Sequence, residues 1–486
     1  VRIEWIVKEV SWPKDAAAIV SALASDGETA WLDSAASRDP ASQDARYSLI
    51  CRDPIGVLEQ YEGEAARFVV QGREIATGRN GWDLWGAVHR SIPRTSRLDL
   101  GLSPGWVGYV GFEMSRQLER LPGTNRNDMG LPALRMGLYD RGVVLDHQEH
   151  RAYAMAANGL RSMWGASESS LSELIEAWEA SAGVAEASGG ADAPRLVFEM
   201  DRDYYRWMIR KALGYIAAGD IYQVNLAQRL RFDRAGDPFA AYCRMRRTNP
   251  APYAAFLHWP GGAIGSLSPE LFLRQRGRDV LTSPIKGTRP RTHDEIVDAA
   301  YRQELLDSEK DAAELAMIID LHRNDIGRVC EFGGVRVRDP RRIEAHPTVY
   351  HTVADIAGRL REEYDGLDLL KACFPAGSIS GAPKIRAIEI IDELEPAARG
   401  AYSGAVGVLG LDGQMTFNVA IRTVQFYGDS AAAYVGGGIV ADSDPEEEYE
   451  ETLAKALGIM RGMRPETAVT AGSIAGADAR ELFIIP

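Results

Sequence analysis

The sequence predicts an α/β (α+β) protein, and three observations lead there. Strand-length apolar runs and helical stretches are interleaved along the chain. The composition, 45% hydrophobic and 26% charged over 486 residues, is that of an ordinary globular protein. Disordered, collagen-like and coiled-coil readings are thereby excluded. No apolar run approaches the ~18–20 residues a membrane span needs. At ~150 residues per domain the length allows about three domains and ample core.

Residues 1–180 form an N-terminal region in which 30–32, 47–50 and 67–70 read as strands. Helical stretches follow Trp82 and cover 167–180. The run 105–112 alternates glycine with large apolar residues, as in a strand or bend that its neighbours approach closely. Residues 181–195 are small, polar and rich in Gly, Ala and Ser, which reads as a linker. A second region, 196–464, opens with a helix over 201–218 that stops near Gly219, and strands and turns run on to Leu281. One long helix is expected over 296–321, with Leu315, Met317, Ile318, Ile319 and Leu321 toward a core. A further helix over 384–394 follows Pro383, and strands are expected at 405–409, 416–423 and 433–440. Asp444 and Pro445 have the chemistry of an N-cap and first turn for a last helix. The tail, 465–486, carries little information.

Lysine and arginine total 55 against 69 acidic residues, a net charge of −14. Nucleic acid and anionic membranes are poor partners for such a chain, because both require a cationic footprint. A small anionic substrate would need local Arg, Lys or a metal to invert the field. Cys51, Cys243, Cys330 and Cys373 are scattered with no C-x-x-C pair, which fits a reducing compartment. The start of the chain lacks signal-peptide character, so a cytoplasmic protein is expected.

Asp307, Asp311 and Glu314 share one face of the expected long helix, at i, i+4 and i+7. Glu448, Glu451 and Lys455 are spaced similarly on the last helix. Brought together, the two faces would suit Mg²⁺; apart, they are solvated surfaces. Among eight lysines, Lys286 is unusual in lying in an expected loop, between Pro284-Ile285 and Gly287-Thr288. A desolvated lysine there would be a nucleophile, and a solvated one would do nothing special. The glycine-rich stretches 377–384 and 436–438 could present backbone N–H groups to a carboxylate, or be turns. Arg422, in an apolar strand, wants an anion, either a structural Asp or Glu or a ligand carboxylate.

Taken in order, these segments resemble the chorismate-binding enzymes. The match rests on Gly219-Asp220-Ile221-Tyr222-Gln223-Val224-Asn225-Leu226, Ser268-Pro269-Glu270, the Lys286 loop, Asp320-Leu321-His322-Arg323-Asn324-Asp325 and Val349-Tyr350-His351. The 377–384 stretch, 417–422 and 436–451 complete it. The resemblance implies a single intertwined body, an anthranilate-synthase-like sandwich of two β-sheets flanked by helices. It implies Mg²⁺ on Glu314 and Glu451, with Asp311 and Glu448 as neighbours or water-mediated partners. Asp311 departs from the glutamate more usual in the family. Arg422 and Tyr402 would grip the enolpyruvyl carboxylate with backbone N–H groups near Gly436 and Gly438. Lys455 and Ser378 would serve the ring carboxylate, and Gly287 and Thr288 would line the ring.

Two positions separate branches of this family. Gln223 stands where water-using members carry a lysine, so ammonia is the expected nucleophile. The Pro-Ile-Lys-Gly-Thr version of the loop resembles the aminodeoxychorismate synthases, which implies amination of chorismate at C4 through a covalent bond to Lys286. Glu270 and His351 compete for the role of acid toward the departing hydroxyl. Ammonia would come from a glutamine amidotransferase partner. Ser34, Arg46, Tyr47, Pro252, Tyr253 and Ala254 lie where relatives hold tryptophan, and ordinary core and loop positions are the other reading. Anthranilate synthase component I chemistry and a non-catalytic binding protein on the same scaffold remain the alternatives.

Overall fold

The computed structural model describes residues 3–24, 27–34, 45–125, 127–166, 171–181, 194–346 and 349–463. The expected tail, and all but the ends of the expected linker, lie outside these residues.

The chain builds two large antiparallel sheets. The first runs in the order Glu4–Val10, Arg151–Asn158, Arg141–Asp146, Tyr47–Arg52, Thr29–Asp33, Tyr253–Trp259, Gly262–Ser268, Thr423–Tyr427, Ser430–Ile439, Gln223–Asp233 and Arg195–Phe198. The second runs Ile285–Pro290, Val349–Arg359, Asp279–Ser283, Leu271–Arg276, Met415–Val419, Ala405–Gly410, Gly105–Val110, Leu134–Leu138, Gly56–Gln60, Ala66–Val70 and Arg73–Gly78. Both sheets cross the linker. Trp31 lies opposite Phe256 in the first, and Gly108 opposite Gly407 in the second. The body is therefore intertwined, as the resemblance implies.

Period-two alternation decides which face each side chain joins. Val107, Tyr109, Val406 and Val408 of the second sheet share one buried cluster with Leu49, Val144, Ala432 and Tyr434 of the first. Their sequence neighbours Trp106, Val110, Leu409, Ile50 and Ala433 belong to another, under the helices. The sheets thus form a sandwich with helices outside. The alternating glycines of Gly105–Val110 serve close approach, since a Cβ on Gly108 would lie 2.1 Å from the Arg135 carbonyl oxygen. Helix Gly81–Ser91 starts where the Asn80 side chain accepts the Asp83 N–H, and it buries Trp82 and Trp85. Each such side chain contributes about 1.5–3 kcal/mol.

Three local readings need correction. The expected long helix is two, Glu295–Asp307 and Glu309–Gly327, because Ser308 ends one and its hydroxyl caps the other at Asp311 N–H. Asp307 therefore does not share a helical face with Asp311 and Glu314. Lys286 lies on a strand, Ile285–Pro290, whose pairing slips by one residue at Gly287, where φ is +77°. A glycine bulge of this kind hides a strand's alternation from sequence reading. Finally, 416–423 is not one strand. Met415–Val419 belongs to the second sheet and Thr423–Tyr427 to the first, with the chain turning at Arg422, φ +51°.

That turn has a companion. Gly262–Ser268 and Leu271–Arg276 also change sheets, through Pro269 and Glu270. The two crossings are stitched together by Val419 N–H to Glu270 O (3.1 Å), Leu267 N–H to Arg422 O (3.1 Å) and Ser268 Oγ to Val419 O (2.6 Å). All four cysteines are buried and free. Among the described residues no helix is long and apolar enough to cross a membrane.

Candidate active site

The two crossings put Glu270 and Arg422 at one corner of the sandwich. The bulged strand brings Lys286, Gly287 and Thr288, and its neighbour brings His351. The Glu309–Gly327 helix adds Asp311 and Glu314, and the last helix, Pro445–Met463, adds Glu448, Glu451 and Lys455. Gly438 and Gln223 close the floor. A Cβ on Gly438 would lie 2.4 Å from Gln223 Nε2 and 3.1 Å from Lys286 Nζ, so only glycine leaves room for both groups. Pairing of Ser430–Ile439 with Thr423–Tyr427 ends at Ala433, so the backbone around Gly436 and Gly438 keeps one edge without a strand partner.

Lys286 and Glu270 are both pushed toward their neutral forms. Burial lowers the proton affinity of Lys286, opposed by Glu314, whose Oε2 is 3.8 Å from Nζ, and reinforced by Lys455. Burial lifts the Glu270 carboxyl to about 7, against a hydrogen bond from Ser378 and the field of Lys286. Ser378 Oγ donates to Glu270 Oε1 at 2.5 Å, so this hydroxyl, expected on a ring carboxylate, is engaged with the acid instead.

Three polar groups in the same place have no protein partner among the described residues. Both amide atoms of Gln223 are buried without a hydrogen bond, and so is His351 Nε2. His351 Nδ1 lies 2.9 Å from Thr288 Oγ1. Burial, then Arg422, holds this histidine well below its ordinary pKa, so it is neutral at pH 7. Arg422 makes no ion pair among the described residues, and its proton affinity is lowered by burial alone. Tyr402 is buried and stacked on Tyr434, ring centroids 5.3 Å apart. It reaches the corner through its neighbour, Ser403 N–H donating to Ala420 O at 2.9 Å.

Glu314 and Glu451 both act on Lys286, but the acidic side chains are not gathered into a cage. Among the described residues no group of three or more His, Cys, Asp or Glu side chains could hold a metal by itself. Asp311 is 3.3 Å from Arg289 Nη2, and Glu448 accepts from Ser443 at 2.6 Å. Glu451 is 2.6 Å from Lys455, whose Nζ also donates to Gly436 O at 2.8 Å. Burial pushes Glu451 up, but Lys455, with Lys286 and Lys310 beyond it, holds it below its ordinary value. An all-oxygen set supplying one or two carboxylates fits Mg²⁺, which takes its remaining ligands from water and substrate.

Comparison with known proteins decides the family. The chorismate binding enzyme family matches residues 33–461. The chain belongs to the chorismate-binding enzymes. It is 37% identical to aminodeoxychorismate synthase component 1 of Escherichia coli K12 over 424 residues, 86% of this chain and 90% of that one. It is 38% identical to anthranilate synthase component 1 of Thermus thermophilus over 425 residues, 86% and 89% of the two chains. The solved structure of anthranilate synthase component I from Streptococcus pneumoniae TIGR4 superposes with a TM-score of 0.76 at 30% identity, covering 86% of this chain and 93% of that one. Membership and the two-sheet fold are as the sequence led us to expect. Overall similarity does not separate the two branches.

In this chorismate-binding enzyme the six residues Ser34, Arg46, Tyr47, Pro252, Tyr253 and Ala254 line one cleft, away from Lys286. Sequence reasoning missed Arg289 and Lys310, the cations that temper the carboxylates, although Lys310 directly precedes Asp311. In the sequence Asn225 is only part of a motif, with no role of its own; it lies opposite Gly438 in the ladder, and its Oδ1 is buried without a partner among the described residues.

Proposed function

We propose that this enzyme aminates chorismate at C4 to give 4-amino-4-deoxychorismate, the precursor of 4-aminobenzoate and folate, through a covalent bond to Lys286. The observation that carries the reading is a buried amine, pushed toward its neutral form, beside a carboxyl of pKa about 7. Neutral Lys286 attacks C2 and the ring double bonds shift. The C4 hydroxyl leaves as water with the proton of Glu270. Ammonia then attacks C4, the double bonds shift back, and the C2–N bond breaks with its electron pair returning to Lys286. Glu270, now ionised, takes the proton from the incoming nitrogen. His351, neutral and anchored at Thr288, is the weaker acid candidate, and its free Nε2 suits a hydrogen bond to the hydroxyl.

Arg422, with no protein anion, suits the enolpyruvyl carboxylate, next to Tyr402 and the open backbone edge at Gly436 and Gly438. Gln223 offers no base, which supports ammonia over water. Glu314 and Glu451 would hold Mg²⁺, with Glu448 and Asp311 nearby, supplying positive charge for the ring carboxylate. The relatives are named component 1; the matching proposal is that a glutamine amidotransferase subunit delivers ammonia. For the cleft at Ser34 and Tyr47 the proposed occupant is tryptophan.

The test supplies chorismate, Mg²⁺ and ammonium with an added pyruvate lyase and identifies the aromatic product. The 4-amino isomer is expected, with formation falling more than about a thousandfold in Lys286→Ala. The 2-amino isomer, made equally well by Lys286→Ala, would assign the enzyme to anthranilate synthesis. No consumption of chorismate at any ammonium concentration would point to a binding protein.

A further inference from the structure

A second polar cavity, of about 430 Å³, opens at the far end of the hairpin formed by Leu271–Arg276 and Asp279–Ser283. Five arginines line it: Arg46, Arg97, Arg274, Arg276 and Arg338, against the single carboxylate of Asp279. Arg46 is neutralised by a bidentate pair with Asp146. Arg97, Arg276 and Arg338 have no ion pair among the described residues. Two of them lie over glycines: Arg276 Nη2 would be 2.9 Å from a Cβ on Gly101, and Arg97 Nη1 3.1 Å from one on Gly277. Arg276 is held below its ordinary pKa by partial burial and then by Arg274, Arg97 and Arg46.

In a chain of net charge −14, mutual repulsion among these groups costs free energy that an anion would recover. The volume is within the range of small-molecule sites. Planar guanidiniums pair two oxygens at a time, the geometry of phosphate groups. We propose that this cavity binds a compact oligoanion of the diphosphate class, a small molecule with two adjacent phosphate groups. Three uncompensated guanidiniums match the charge of a diphosphate better than that of a single phosphate or carboxylate. Its ligand would seat on the same hairpin that carries Glu270 before its first strand and Lys286 just after its second. The inference does not depend on which amino isomer the enzyme makes.

Calorimetric titration of the full chain in Mg²⁺-free, low-salt buffer would use inorganic pyrophosphate, orthophosphate and succinate as probes. Omitting Mg²⁺ keeps chelation out of the signal. Saturable binding of one pyrophosphate per chain is expected, at least about tenfold tighter than orthophosphate or succinate. The Arg97→Gln/Arg276→Gln variant should weaken it by at least about tenfold. Arg338→Gln should weaken it severalfold; should the double variant not fold, this single surface change must show the loss. Arg151→Gln, an exposed arginine paired with Glu9 outside the cavity, should leave it unchanged. No saturable heat at millimolar pyrophosphate, several equal sites per chain, or equal binding by the cavity variants and the Arg151→Gln control would each overturn the proposal.

Discussion

Two buried polar regions lie side by side in this molecule and treat their charges in opposite ways. In the turn from Glu395 to Ser403 every strong group is used. Arg399, 1% exposed at its side chain, makes paired bonds to Glu395 and reaches Ile379 O, Ser403 Oγ and Asn225 O. Glu113 accepts the N–H groups of Arg399 and Gly400, and the Gln425 amide bonds at both ends, to Ala401 N–H and Arg399 O. At the neighbouring corner Arg422, Gln223 and His351 Nε2 find nothing among the described residues. Burial penalises such groups in both places, most for Gln223 and His351, which are fully buried, and less for Arg422, which is half-buried. The charges around Arg399 are satisfied within the fold, whereas the corner groups are the ones the proposed reaction would use.

The largest expected effect breaks the satisfied side. Arg399→Ala leaves the buried Glu395 carboxylate without its ion pair, held only by the Ala227 N–H, and should cost about 3–5 kcal/mol in urea unfolding. The matching change on the unsatisfied side, Arg422→Gln, should leave unfolding unchanged or slightly more stable while raising KM for chorismate about 10–100-fold. A split of this kind in kinetics against stability would sharpen the contrast, and equal destabilisation by both variants would erase it.

The Glu270 carboxyl gives a smaller signature, in pH. Its folded pKa of about 7 lies above the unfolded value, so the native state binds more protons between roughly pH 4.5 and 7. Stability should therefore decline as pH rises through that window, and amination should fall as pH rises through about 7. Both trends should be absent in Glu270→Gln, read from urea midpoints and initial rates over pH 5 to 8. The smallest effect is at Gln223. Replacing its unbonded amide in Gln223→Leu should raise stability by about 1 kcal/mol and lower product formation, a gain and a loss that only an unspent polar group predicts.

Much of this arrangement was legible in the residues. The helix from Lys384 to Leu394, the cap at Asp444 and the close strand at Gly108 follow from local chemistry that neighbours do not override. So do the types of group needed at the site: a lone lysine between glycine and proline signals, and an arginine amid apolar residues. What escaped was set by long-range geometry. Ser308 looks like any helix residue until a turn is capped by it. The bulge at Gly287 masks a strand, and nothing local distinguishes a strand running through 416–423 from one that changes sheets at Arg422. The partnering of carboxylates by Arg289 and Lys455 likewise depends on where helices land.

The interleaving of the two layers also bears on the birth of the protein. Strand Gly105–Val110 must wait for Ala405–Gly410, nearly three hundred residues later, before one of its edges is covered. At cellular elongation rates that interval is roughly 15–60 s. Throughout it the nascent chain displays Trp106 and Tyr109 on an unpaired edge, a template for mispairing. This enzyme should accordingly lean on holdases during synthesis far more than its finished, closed body would suggest.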